Sequence, residues 1–91
     1  MPVCMIFRHA GRERVLIARD AVDIRLRCLS FMSRSRSSVG TVLTQDGALV
    51  GYIRFVVKKT GAITTKTYTY TSVLGNRRRL DPATGRLGEE L

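Results

Sequence analysis

Polar and apolar residues alternate along much of this chain. Val22, Ile24, Leu26 and Cys28 are separated by Asp23, Arg25 and Arg27, the two-residue period of a half-buried strand rather than the i, i+3, i+4 spacing of a helix. Upstream, the apolar runs PVCMIF and RVLIA flank RHAGRE, where Gly11 can supply a turn, so an N-terminal hairpin is expected. SRSRSS, residues 33–38, has no apolar residue and no period, and reads as a mobile, solvated connection between strands. From Val39 the pattern is a meander. GTVLT and ALVGYIRFVVK flank QDG, whose Gly47 suits a hairpin turn, and Gly61 separates the long strand from a further one, with Lys58 and Lys59 solvated at the tip. No stretch predicts a long amphipathic helix.

The further strand contains TTKTYTYTS, with threonine at every second position from Thr65 to Thr71 and Lys66, Tyr68, Tyr70 and Ser72 between. Its register decides which set faces a partner. A three-residue loop, Lys59-Thr60-Gly61, pairs Val57 with Ile63, Phe55 with Thr65 and Ile53 with Thr67. Apolar side chains and threonine methyls then share an inner face, while Tyr52, Arg54, Lys66, Tyr68 and Tyr70 form a basic aromatic platform outside. A two-residue Thr60-Gly61 loop mixes apolar and cationic groups on one face, so the three-residue loop is the expected one.

After Leu74 the alternation stops. GNRRRLDPATGRLGEEL is rich in turn formers, and only RLGEEL could add a frayed helical turn. The pattern as a whole predicts an all-β fold: a small antiparallel β-meander, sheet or partly open barrel, over residues 1–74, followed by an irregular basic-then-acidic tail or docking segment over 75–91.

The 91 residues, 44% of them apolar, suffice for one small core. The longest apolar stretches fall far short of a membrane span, and MPVCMIF is neither preceded by a cationic region nor long enough for a secretory signal. A non-secreted, cytoplasmic protein, or a virion component, is expected, and Cys4 and Cys28 are expected to be small buried thiols.

Charge sharpens the picture. Sixteen Lys and Arg against seven Asp and Glu give +9. Between residues 24 and 79, eleven cations face the single acid Asp46, a sum of +10. Concentrated positive charge of this kind suits a polyanion, which releases its own counterions on binding. The expected function is non-enzymatic binding of RNA or single-stranded DNA. The candidate contacts are Arg25, Arg27, Arg34, Arg36, Tyr52, Arg54, Lys58, Lys66, Tyr68, Tyr70, Arg77, Arg78 and Arg79, because arginine forks phosphate oxygens and bases stack on tyrosine rings. The serines beside Arg34 and Arg36 also fit a phosphorylation target, which would cancel the local charge.

The alternative is a structural assembly subunit such as a viral coat protein or a small component of a larger complex. Such a protein would be homo-oligomeric through exposed strand edges, with Leu29, Phe31 and Met32 leaving an apolar patch on an isolated monomer. Enzymatic chemistry is not expected. His9 is the only histidine, no metal-ligand or nucleophile spacing occurs, no phosphate-cradling glycine motif is present, and the acids form no pair. No cofactor, metal, membrane or small-molecule substrate is implied.

Overall fold

The first strands are set by their turn. Ala10 and Gly11 adopt φ of 53° and 74°, the two positive values of a type I′ turn. They join β1 (Val3–His9) to β2 (Arg12–Ala18), with His9 opposite Arg12 and Met5 opposite Leu16. The expected N-terminal hairpin is therefore present in this computed structural model, which describes residues 2–91.

The expected strand over Val22 to Cys28 is instead a helix, α1 (Ala21–Met32). Capping decides the matter. The Asp20 carboxylate accepts from the Asp23 backbone N–H at 2.9 Å, and Asp23 in turn accepts from the Arg19 N–H at 3.3 Å, so donors at the helix start are satisfied by side chains. The buried residues Ile24, Cys28, Leu29 and Met32 form one stripe at helical spacing, and Asp23 pairs with Arg27 one turn on at 3.5 Å. Leu29 and Met32, expected in an exposed patch, are buried, and Phe31 is half-buried under the Arg14 guanidinium, 4.1 Å from its ring centre. Residues 33–38 are a connection, as read, but they link a helix to a strand.

The meander follows as β3 (Val39–Thr44), β4 (Leu49–Thr60), β5 (Ile63–Ser72), β6 (Arg77–Leu80) and β7 (Leu87–Glu90). All seven strands form one antiparallel sheet in the order β2-β1-β3-β4-β5-β6-β7, not closed into a barrel, with β2 and β7 as free edges. The irregular tail and its frayed helical turn are thus corrected. RRRL and LGEE are the last two strands, because Leu80 fills a fully buried site opposite Tyr68 and draws that segment onto the sheet.

The β4–β5 register also differs from the one expected. Gly61 alone of the two loop residues has positive φ, at 61°, which is the type II′ pattern with glycine first. The loop is Gly61-Ala62, Thr60 lies opposite Ile63, and Phe55 faces Tyr68 while Ile53 faces Tyr70. Tyr68 and Tyr70 therefore point to the core side and the threonines Thr65, Thr67, Thr69 and Thr71 away from it. Burying two tyrosines against Ile53 and Phe55 removes more apolar area from water than burying threonine methyls, and that gain outweighs the tidier segregation of charge.

Helix α1 covers one face of the sheet. Between them lie Phe7, Ile24, Cys28, Met32, Val42, Ile53 and Leu80, all essentially inaccessible to solvent. At Gly40 of β3 a side chain would run into the Phe7 ring of neighbouring β1 and would meet the Met32 sulfur of α1 at 3.3 Å. Among the described residues no second helix or sheet packs on the opposite, open face. Among the described residues no helix is long and apolar enough to cross a membrane.

Candidate nucleic-acid interface

From Leu49 to Leu80, across β4, β5 and β6, the chain carries seven cations and no acid. The register sorts them between the two faces. Tyr52, Thr71 and Arg77 form one cross-strand row on the open face, and Arg54, Thr69 and Arg79 form the next. With strands about 4.8 Å apart, the arginines of each row start roughly 10 Å from their counterparts two strands away, with a threonine hydroxyl between. Tyr52, Arg54, Thr71, Gly75, Arg77 and Leu91 line a shallow depression there.

Among the described residues the ion pairs are Arg8–Glu13 at 2.7 Å and Arg27–Asp23 at 3.5 Å. Arg54, Arg77 and Arg79 thus face no carboxylate at pairing distance. Glu89 of β7 lies beside Arg79 across an irregular stretch of register, yet forms no ion pair with it.

The β4–β5 hairpin continues past the helix-covered part of the sheet. Every residue from Val56 to Thr67 is exposed, making a two-stranded arm in a molecule 44 Å long and 22 Å thick. Lys58 and Lys59 lie on the arm. At its base the Lys66 ammonium sits 4.4 Å from the centre of the Phe55 ring and donates to the Ser33 carbonyl at 3.4 Å, which brings the loop bearing exposed Arg34 and Arg36 alongside.

The thirteen residues expected from sequence therefore do not form one surface. Tyr52, Arg54, Lys58, Arg77 and Arg79 come together on the open side. Tyr68 is buried in an edge-to-face contact with Phe55, ring centres 5.7 Å apart. Tyr70 is half-buried, donates to the Val50 carbonyl at 3.4 Å, and has its hydroxyl pKa raised by burial. The basic aromatic platform does not exist in this register.

Arg25 is a tie within the fold: its Nε donates to the Gly85 carbonyl at 2.8 Å, its guanidinium lies 5.7 Å from the Tyr70 ring centre, and burial lowers its pKa. Arg78 points to the helix side, opposite Tyr70 and Glu90. Arg27, Arg34, Arg36 and Lys66 belong to the helix side as well. What the sequence reading missed is the outward threonine rows; glycine as the first residue of a two-residue turn is the signal that would have found them.

Other reactive groups are committed to structure. His9 stacks on Phe7 with ring centres 5.6 Å apart, and its Nε2 lies 3.2 Å from the Ser37 carbonyl oxygen. Both cysteines are free. Cys4 is half-buried on β1, whereas Cys28 lies buried on α1 rather than on a strand, and burial pushes its thiol up to about 12, far from a reactive thiolate. Among the described residues no three His, Cys, Asp or Glu side chains gather as metal ligands would. No protein-family model, curated protein or solved structure matches the chain.

Proposed function

We propose that this chain is a non-enzymatic nucleic-acid-binding protein that lays RNA or single-stranded DNA across the open face of β4–β6 and along the hairpin arm. The observation that carries the reading is the set Arg54, Arg77 and Arg79, unpaired with any carboxylate and projecting from one uncovered face with Tyr52 and threonine hydroxyls among them. Arginine forks and threonine hydroxyls both suit phosphate oxygens. With Tyr68 and Tyr70 turned inward, Tyr52 alone on this face can stack a base, so affinity comes from the backbone and base preference is weak. An open sheet face with no protruding helix fits a flexible strand better than a duplex groove.

Titration of fluorescein-labelled oligonucleotides at several salt concentrations tests this. Four phosphate contacts, from Arg54, Lys58, Arg77 and Arg79, give a slope of log affinity against log salt of about −2.8 for single strands. Undetectable binding at low salt refutes the reading, and tighter binding of duplex than of single strand overturns its choice of ligand. The second reading, an assembly subunit, is favoured by Val15 and Ile17, which are 66% and 62% exposed on the open side of an edge strand.

A further inference from the structure

The sheet's two edges are not alike. β7 is four residues long and carries Glu89 and Glu90, the short charged kind of edge that resists pairing. β2 is seven residues long, pairs with no strand of the described residues on its outer side, and has Val15, Leu16, Ile17 and Ala18 in succession. Leu16 and Ala18 are buried beneath α1, while Val15 and Ile17 stand exposed on the open side. In an antiparallel ladder alternate residues aim their backbone groups at one neighbour. With the β1–β2 loop closing on His9 and Arg12, the even residues of β2 address β1, and Glu13, Val15 and Ile17 present N–H and C=O to the free edge.

The sequence of this edge is complementary to itself. Set antiparallel with Leu16 opposite the partner's Leu16, Val15 meets the partner's Ile17, Arg14 the partner's Ala18, Glu13 the partner's Arg19, and Arg12 the partner's Asp20. Each contact occurs twice by symmetry, none joins like charges, and the outward backbone groups of Glu13, Val15 and Ile17 meet outward groups of the same kind. Shifting to Val15 opposite the partner's Val15 puts Glu13 against the partner's Ile17 and Arg14 against the partner's Leu16. Centring on Ile17 sets Val15 against the partner's Arg19.

We propose that two copies of the chain pair antiparallel along β2, about a two-fold axis perpendicular to the sheet at Leu16, to make one continuous fourteen-stranded sheet, twice the seven strands of a single chain. Charge supports a second copy as the occupant. β1 and β3 stand between β2 and β4, the first strand of the acid-free stretch 49–80, so these stretches of the two chains are held apart. The axis also puts both open faces on the same side, and the exposed Val15 and Ile17 of each chain cover one another. This interface uses none of the residues assigned to nucleic acid.

Sedimentation of the full chain at micromolar concentration in high salt, freed of nucleic acid, reads the assembly. The expected species is a dimer. Val15→Pro removes an outward N–H at an edge position that tolerates proline, so it gives a folded monomer by circular dichroism. Should that variant not fold, charge reversal gives the answer: Arg19→Glu alone weakens dimerisation about tenfold, since it places like charges together at both symmetric contacts, and Glu13→Arg alone does the same while also losing the ion pair to Arg8 of its own chain. The double variant Glu13→Arg, Arg19→Glu restores most of it. A monomeric wild type, open-ended growth, a dimer indifferent to Val15→Pro, or a double variant no better than the singles overturns the proposal.

Discussion

Replacing Arg54 and Arg79 together with Gln removes both ends of one cross-strand row, leaving Thr69 between two neutral amides. Both arginines are exposed and neither takes part in an ion pair, so stability changes by no more than about 0.5 kcal/mol and the melting curve stays close to that of the wild type. Binding responds strongly. Each phosphate neutralised on a single strand contributes about 0.7 to the slope of log affinity against log salt, so losing two lowers a slope of about −2.8 to about −1.4. Over a tenfold rise in salt the double variant therefore loses about 25-fold less affinity than the wild type. The assay is fluorescence anisotropy with one oligonucleotide at four or more salt concentrations. Arg86→Gln is the control, an exposed arginine with no ion pair in the β6–β7 connection, next to the Gly85 that meets α1. If that substitution flattens the slope as much as the Arg54, Arg79 pair does, charge acts diffusely and the open face of β4–β6 is not the site.

Tyr68→Ala empties a buried position packed on Phe55 and costs about 3 kcal/mol or more, whereas Thr67→Lys, exposed on the other face, costs less than about 0.5 kcal/mol; guanidinium unfolding that ranks them in the opposite order rejects this register. Asp20→Ala removes the cap of α1 and lowers stability by about 1 kcal/mol, and an unchanged midpoint would mean the cap contributes nothing. Burial holds the Cys28 thiol protonated to about 12 against an ordinary value of 9.0. The unfolded chain ionises first, so stability present below that ordinary value falls as pH rises from 9.0 to about 12. Tyr70, raised in the same way, adds to the same decline. Cys28→Ala flattens this dependence, and parallel curves for the two proteins refute it.

The strands that a turn residue introduces were legible: Gly11, Gly47 and Gly61 each mark a hairpin that the structure contains. Helix α1 was not, because Val22, Ile24, Leu26 and Cys28 alternate as a strand does while the same segment also supports a helical stripe through Ile24, Cys28 and Met32. What separates the two is Asp20 three residues before Asp23, a helix-start signal, together with apolar residues that continue at helical spacing through Leu29 and Met32. The tail was misread for a different reason. Strands of four residues such as Arg77–Leu80 are too short to show a period, and only the long-range contact of Leu80 with Tyr68 reveals their pairing.

Of the candidate surface, the cations were legible and their facing was not, since facing depends on one residue of loop length. A loop of Lys59-Thr60-Gly61 would have put Arg54 opposite Lys66 with tyrosines beside them, the makings of a base-stacking surface. The Gly61-Ala62 loop instead puts Arg54 opposite Thr69 and sends Tyr68 and Tyr70 into the core. The shift relieves a cross-strand repulsion between two cations, and it changes the chemistry on offer. Arginines separated by threonine hydroxyls recognise a phosphate backbone, which is the same in every sequence, whereas exposed rings would have distinguished bases by how strongly they stack. Packing Phe55 against Tyr68 and giving up base discrimination are thus two results of a single turn. Binding carried by the open face should accordingly vary little between oligonucleotides of equal length and different base composition.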